Sequence, residues 1–194
     1  MIAEPEEAEM TTLLHQTAKK TAMALAIIVC AIVTGAQDPQ VTLRTTDGRT
    51  FDLARDRGKV VVLSFGATWV PLTDKELPTF QRLADRYAGR GASFYWVSVN
   101  SAKEKEKHYI SDADLQGYAV ELGLRLSVLR DPDQKALRAF GLDALPAIVI
   151  IDQEGRVFRK VIGFNPECYD PEKDEFYLNE AYGEVIRCLN QLLK

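Results

Sequence analysis

The stretch Lys59 to Phe65 is a nearly continuous β-branched and apolar run. Such a run predicts a strand buried on both faces. From Asp74 to Tyr87 the period changes: Leu77, Phe80, Leu83, Ala84 and Tyr87 recur at helical spacing, and Gly89 and Gly91 stop the helix they predict. Ser93 to Asn100 is a second strand. Ahead of these, Val41–Arg44 and Thr50–Leu53 flank Asp47-Gly48, a strong two-residue turn signal, and predict an N-terminal β-hairpin. Ser111 with Asp114 has the form of a capping box for a helix to Leu122, ended by Gly123. Leu126–Leu129 is a short partial strand, and Asp131-Pro132-Asp133 opens a helix through Phe140, closed by Gly141. Leu145–Ile151 and Val157–Val161 are strands joined by the turn Asp152–Gly155. A last helix is expected from about Glu175 to Leu193, with Leu178, Ala181, Tyr182, Val185, Leu189 and Leu192 on one face. Strands alternating with helices, then a closing hairpin and helix, argue an α/β sandwich around one central mixed sheet flanked by helices.

Composition narrows the class. With 194 residues, 46% apolar and 27% charged, the chain holds one ordinary domain plus a leader. The net charge of −4 offers no basic surface, so nucleic acid is not an expected partner. Glu104 and Glu106 break up the lysine-dense run Lys103–Lys107, which reads as a solvated loop. Lys19 and Lys20 precede the uncharged apolar stretch Thr21–Ala36, which ends in Thr34-Gly35-Ala36. A basic start, an apolar centre and small residues before a cut describe a secretory signal peptide. The stretch is shorter than the ~18–20 residues of a spanning helix, which makes an uncleaved anchor the second choice. Either way residues 1–36 are the leader and residues 37–194 the domain, placed outside the cytoplasm, with any membrane contact made through the leader. Met1 and Met10 both remain open as the start, and Cys30 reads as an apolar residue of the leader.

The segment Gly58–Trp69 followed by Val70-Pro71-Leu72-Thr73 and Asp74–Pro78 resembles the active-site stretch of extracytoplasmic thioredoxin-like proteins of the TlpA/ResA type, in the wider AhpC/TSA–redoxin superfamily. Phe140–Gly155, with Leu145-Pro146 at the family's cis-proline position, and Gly163 after the last strand extend the likeness over about Val41–Phe164. The resemblance implies a thioredoxin-like fold with an N-terminal β-hairpin, and thiol–disulfide exchange as the family's chemistry. In that chemistry a helix N-terminus lowers the pKa of a first cysteine, and a second cysteine three residues on resolves the mixed disulfide. Here Val70 stands at the first position and Thr73 at the second, while Ser64 replaces the acid or amide common six residues before. Val70 has no proton to lose, and neither His15 nor His108 is placed to activate Thr73, so redox chemistry at this loop is excluded. Peroxidase and copper-carrier readings fail for want of the same cysteines. No cofactor or metal is expected, and the degenerate positions leave no catalytic residue there.

Two further readings concern what is retained. Trp69, Val70, Pro71, Leu72, Leu145 and Pro146 would border an apolar groove for an extended polypeptide, or Trp69 and Pro146 persist for packing alone. Cys168 and Cys188 form an even pair in an oxidising compartment, and read as a structural disulfide closing ~20 residues, as two thiols, or as a relocated redox couple. The first function expected is therefore a redox-inactive binding module, and the second a thiol–disulfide oxidoreductase using Cys168 and Cys188. The loops Ser101–Tyr109 and Pro166–Phe176 are longer than the fold requires; the second is aromatic, either a contact surface or a lid.

Overall fold

The computed structural model describes residues 41–173, 175–176 and 181–194. The leader, Leu178 and Tyr177 lie outside the described residues. The strands are β1 (Thr42–Thr45), β2 (Thr50–Asp52), β3 (Val60–Gly66), β4 (Ala92–Ser98), β5 (Ser127–Arg130), β6 (Ala147–Ile151) and β7 (Val157–Ile162). They form one seven-stranded mixed sheet in the order β2-β1-β5-β4-β3-β6-β7. β3, β4 and β5 run parallel, while β1, β6 and β7 join by antiparallel ladders. The helices are α1 (Thr73–Arg86), α2 (Asp112–Glu121), α3 (Lys135–Ala139) and α4 (Ala181–Leu192). This is a thioredoxin-like α/β architecture with an N-terminal hairpin.

β3 lies inside the sheet between β4 and β6 and is buried at every residue, and its side chains alternate between two cores. Val60 and Val62 face a cluster with Phe80 and Leu83 of α1 and Val185 and Leu189 of α4. Val61, Leu63 and Phe65 face the opposite cluster, with Ala136 of α3, Phe140 and Val149. The apolar stripe read for α1 is the face that packs down, and it includes Thr73 and Glu76 among the buried residues. α2 begins as its capping box predicts, with Ser111 Oγ accepting from the Asp114 N–H at 3.1 Å. The short segment before Arg130 is a full strand, inserted between β1 and β4.

Two boundaries differ from the sequence expectation. The helix expected from Asp131 begins only at Lys135, because Gln134 takes the left-handed conformation (φ 54°). Asp131 still caps it from a distance: its carboxylate accepts from the N–H groups of Ala136 (3.1 Å) and Leu137 (2.8 Å). The C-terminal helix does not reach back to Glu175, which instead pairs with Asp170 in a small ladder of β8 (Tyr169–Asp170) and β9 (Glu175–Phe176). Phe176 and Tyr169 turn inward there, and Arg82 and Arg86 of α1 lie over their rings at 4.9 and 4.8 Å. Of the aromatic insertion, these two rings cover the α1–α4 core.

Candidate functional site

β3 ends at Gly66, and the chain turns through Ala67–Leu72 into α1. The turn is held by backbone bonds, Val70 N–H to the Ala67 carbonyl and Thr73 N–H to the Val70 carbonyl, both 3.0 Å. Asn100, just beyond β4, clamps it from the side. Its Oδ1 accepts from the Thr68 N–H at 3.0 Å, and its Nδ2 donates to Thr68 Oγ1 at 2.8 Å and to the His108 carbonyl at 3.2 Å. The long loop Ser101–Tyr109 is thereby fastened to the turn, and the His108 ring stacks on Trp69 with centroids 4.5 Å apart. Both ends of that loop converge on Arg130, whose buried guanidinium donates to the carbonyls of Asn100 (3.1 Å), Ser101 (3.0 Å) and Ile110 (3.0 Å). Asp112, paired with the same guanidinium at 2.7 Å, is held below the usual carboxylate range by its bonds to Arg44 and Arg130.

Trp69, Val70, Pro71 and Leu145 line one groove of about 490 Å³, whereas Pro146, expected beside them, is buried and does not line it. Its other wall, which the sequence reading missed, is α3 with its flanks: Gln134, Leu137, Arg138, Leu142 and Asp143. Trp69 is 44% exposed on the rim, whereas Val70 is buried in the floor. Leu72, expected in the same floor, is the N-cap of α1 and packs instead against the α1–α4 core. The Leu145–Pro146 peptide is cis, and buried Pro146 accepts a bond from the Gly163 N–H at 2.8 Å.

Directly beneath the turn lies a polar pocket that the sequence reading also missed. Glu76 of α1 is 1% exposed, and the Ser64 hydroxyl donates to its Oε1 at 2.7 Å. Burial pushes the Glu76 carboxyl up to about 8, opposed by the Ser64 hydrogen bond, so it keeps its proton at neutral pH. The signal was present: Glu76 lies on the apolar stripe of α1, one position before Leu77 and four before Phe80, where a solvated glutamate has no place.

The AhpC/TSA family model matches residues 34–160, about two thirds of the chain. The chain belongs to the AhpC/TSA family. The thiol-disulfide oxidoreductase ResA of Geobacillus thermodenitrificans is 28% identical over 133 residues, covering 69% of this chain and 71% of that protein. ResA of Bacillus thuringiensis is 26% identical over 129 residues, 66% of this chain and 69% of that one. Among solved structures, the exposed lipoprotein thioredoxin of Streptococcus pneumoniae superposes with a TM-score of 0.57 at 27% identity, covering 78% of this chain and 98% of that one. A secreted disulfide oxidoreductase of Mycobacterium tuberculosis superposes with a TM-score of 0.54 at 20% identity, over 69% and 93% of the two chains.

In this AhpC/TSA chain Val70 and Thr73 occupy the turn and the first residue of α1. The remaining thiols are elsewhere. Cys168 and Cys188 are both buried in the α1–α4 core and are not bridged to one another, in contrast to the disulfide expected from their even number. Cys168 ends the short helical turn before β8, and Cys188 sits inside α4. Burial pushes the Cys188 thiol up, and the nearby Arg159 offsets this only in part. Among the described residues no helix is long and apolar enough to cross a membrane.

Proposed function

We propose that this chain is a redox-inactive, extracytoplasmic member of the thiol-disulfide oxidoreductase lineage that binds an extended polypeptide in the groove between Trp69-Val70-Pro71 and Leu137–Leu145. The observation that carries the reading is Val70 and Thr73 at both thiol positions beside an open, largely apolar groove edged by Gln134, Arg138 and Asp143. A valine at the turn and a threonine buried at 0% exposure offer neither a thiolate nor an accessible hydroxyl. Apolar walls with a rim tryptophan and Arg138 suit an extended segment presenting an apolar side chain. The leader and the secreted or surface-exposed relatives support the location outside the cytoplasm. The alternative, exchange through Cys168 and Cys188, meets two buried thiols, one of them with a raised pKa.

The test is titration of the ¹⁵N-labelled chain with unstructured peptides bearing Leu, Phe or Trp. Saturable shifts confined to residues 69–71 and 137–145 are expected. Catalysed reduction of insulin disulfides by the chain, lost on Cys168→Ser, would overturn the reading.

A further inference from the structure

Five side-chain polar atoms among the described residues are fully buried without a hydrogen-bond partner, and three of them face one corner: Thr73 Oγ1, Glu76 Oε2 and Trp96 Nε1. The corner is beside Gly66, the last residue of β3. A Cβ placed on that glycine would lie 3.0 Å from Trp96 Nε1, 3.5 Å from Thr73 Oγ1 and 3.9 Å from Glu76 Oε2. Thr73, Glu76 and Trp96 are themselves 0%, 1% and 0% exposed, so bulk solvent does not serve these atoms. Glycine is therefore the residue that leaves the polar corner open, and any side chain would press on the indole nitrogen.

The donor inventory decides what fits. The Trp96 indole can only donate, the Thr73 hydroxyl donates and accepts, and Glu76 Oε2 accepts when ionised and can donate when protonated. A cation is disfavoured by the indole N–H, and an anion by the carboxyl. We propose that Thr73, Glu76 and Trp96 bind a single water molecule against Gly66, tying the first turn of α1 to strands β3 and β4 beneath the degenerate loop. With Glu76 protonated, the water accepts from the indole N–H and from the Glu76 acid and donates to Thr73 Oγ1, three bonds in all, which is the usual complement of a buried water. Because it can turn, it also serves the ionised carboxylate, accepting from the indole and giving its hydrogens to Glu76 Oε2 and Thr73 Oγ1. The other groups facing this carboxyl are the Ser64 hydroxyl on β3, bonded to Oε1, and the Tyr182 hydroxyl on α4, whose pKa burial and the charge of Glu76 both raise.

The test is a crystal structure of the full chain at a resolution that shows ordered water, together with one of Gly66→Ala. The expected result is an isolated density peak at about 2.7–3.2 Å from all three atoms in the parent. In Gly66→Ala that peak is expected to be lost, and the Trp96 indole proton resonance to move upfield. An empty corner in the parent, or a direct bond from Trp96 or Thr73 to Glu76 Oε2, would overturn the proposal. Should Gly66→Ala fail to fold, the parent density alone decides it. A water-to-indole cross-peak at Trp96, assigned against Trp69 with Trp69→Phe, supports the site from solution, and its absence counts against it.

Discussion

Ser64 and Glu76 meet inside the core across twelve positions of sequence, the β3 hydroxyl donating to the α1 carboxyl at 2.7 Å. Ser64 shares the face of β3 that Val60 and Val62 present to the α1–α4 core, so an apolar sheet face carries one polar residue opposite one buried acid. Ser64→Ala removes the donor and leaves the carboxyl oxygen unpaired. The expected loss is about 1–3 kcal/mol in urea unfolding. The Glu76 pKa is expected to rise further, since the Ser64 bond is what lowers it.

The Glu76 carboxyl also sets a pH dependence. In the unfolded chain it ionises near 4.5, whereas in the folded protein it holds its proton to about 8. Between those values the folded state binds more protons, so stability falls as pH rises through this window and levels off above it. The span corresponds to roughly 4–5 kcal/mol at the upper limit. Urea unfolding at pH 5, 7 and 9 is expected to show this decline, and Glu76→Gln to flatten it. A parent whose stability rises from pH 5 to pH 8 would contradict the assignment.

Arg130 holds three carbonyls and the Asp112 carboxylate from a fully buried position. Arg130→Met keeps length and removes the donors, leaving buried acceptors unpaired. A loss of about 3–5 kcal/mol is expected. Amide exchange should accelerate first in residues 101–110, because both ends of that loop are tied to this one side chain. Uniform acceleration across the sheet would instead place Arg130 in global rather than local stability.

Trp69 and His108 stack on the outer rim. For His108→Ala the expected stability change is small, below about 1 kcal/mol. Trp69 fluorescence should change, and affinity for apolar peptides should fall. Unchanged binding would mean that the loop is a support for the turn and not part of the groove.

Val70 sits in the turn and Thr73 is the first residue of α1, so cysteines there would lie at the positive end of the α1 dipole. The combined variant Val70→Cys, Thr73→Cys is expected to reduce insulin disulfides in the presence of dithiothreitol, and the parent is expected not to. An inert variant with a correctly formed disulfide would show that this turn does not support exchange even with two thiols in it.

Much of this was written in local pattern. The hairpin at Asp47-Gly48, the buried run of β3, the stripe of α1 and the Ser111 cap each depend on neighbours within a few residues, and each appears within one or two positions of where it was read. The short segment before Arg130 also became a strand, but its place between β1 and β4 was not readable, because parallel pairing is decided by distant partners. The errors have the same origin. Asp131 caps a helix that begins four residues later, since its carboxylate reaches Ala136 and Leu137 across a left-handed Gln134. Glu175 joins a small ladder because Phe176 finds a core made by α1 and α4.

The site divides along the same line. The sequence by itself determined that Val70 and Thr73 stand in the turn between a buried strand and an amphipathic helix. Only the tertiary structure decided that Leu72 turns away, that Leu137 and Leu142 build the opposite wall, and that Cys168 and Cys188 are two buried thiols without a bridge. It also decided that Glu76, Thr73 and Trp96 enclose one corner beside Gly66. Side-chain identity and local periodicity follow from bonded neighbours. Convergence of a helix, two strands and a glycine on one point follows from packing, which a linear pattern does not encode.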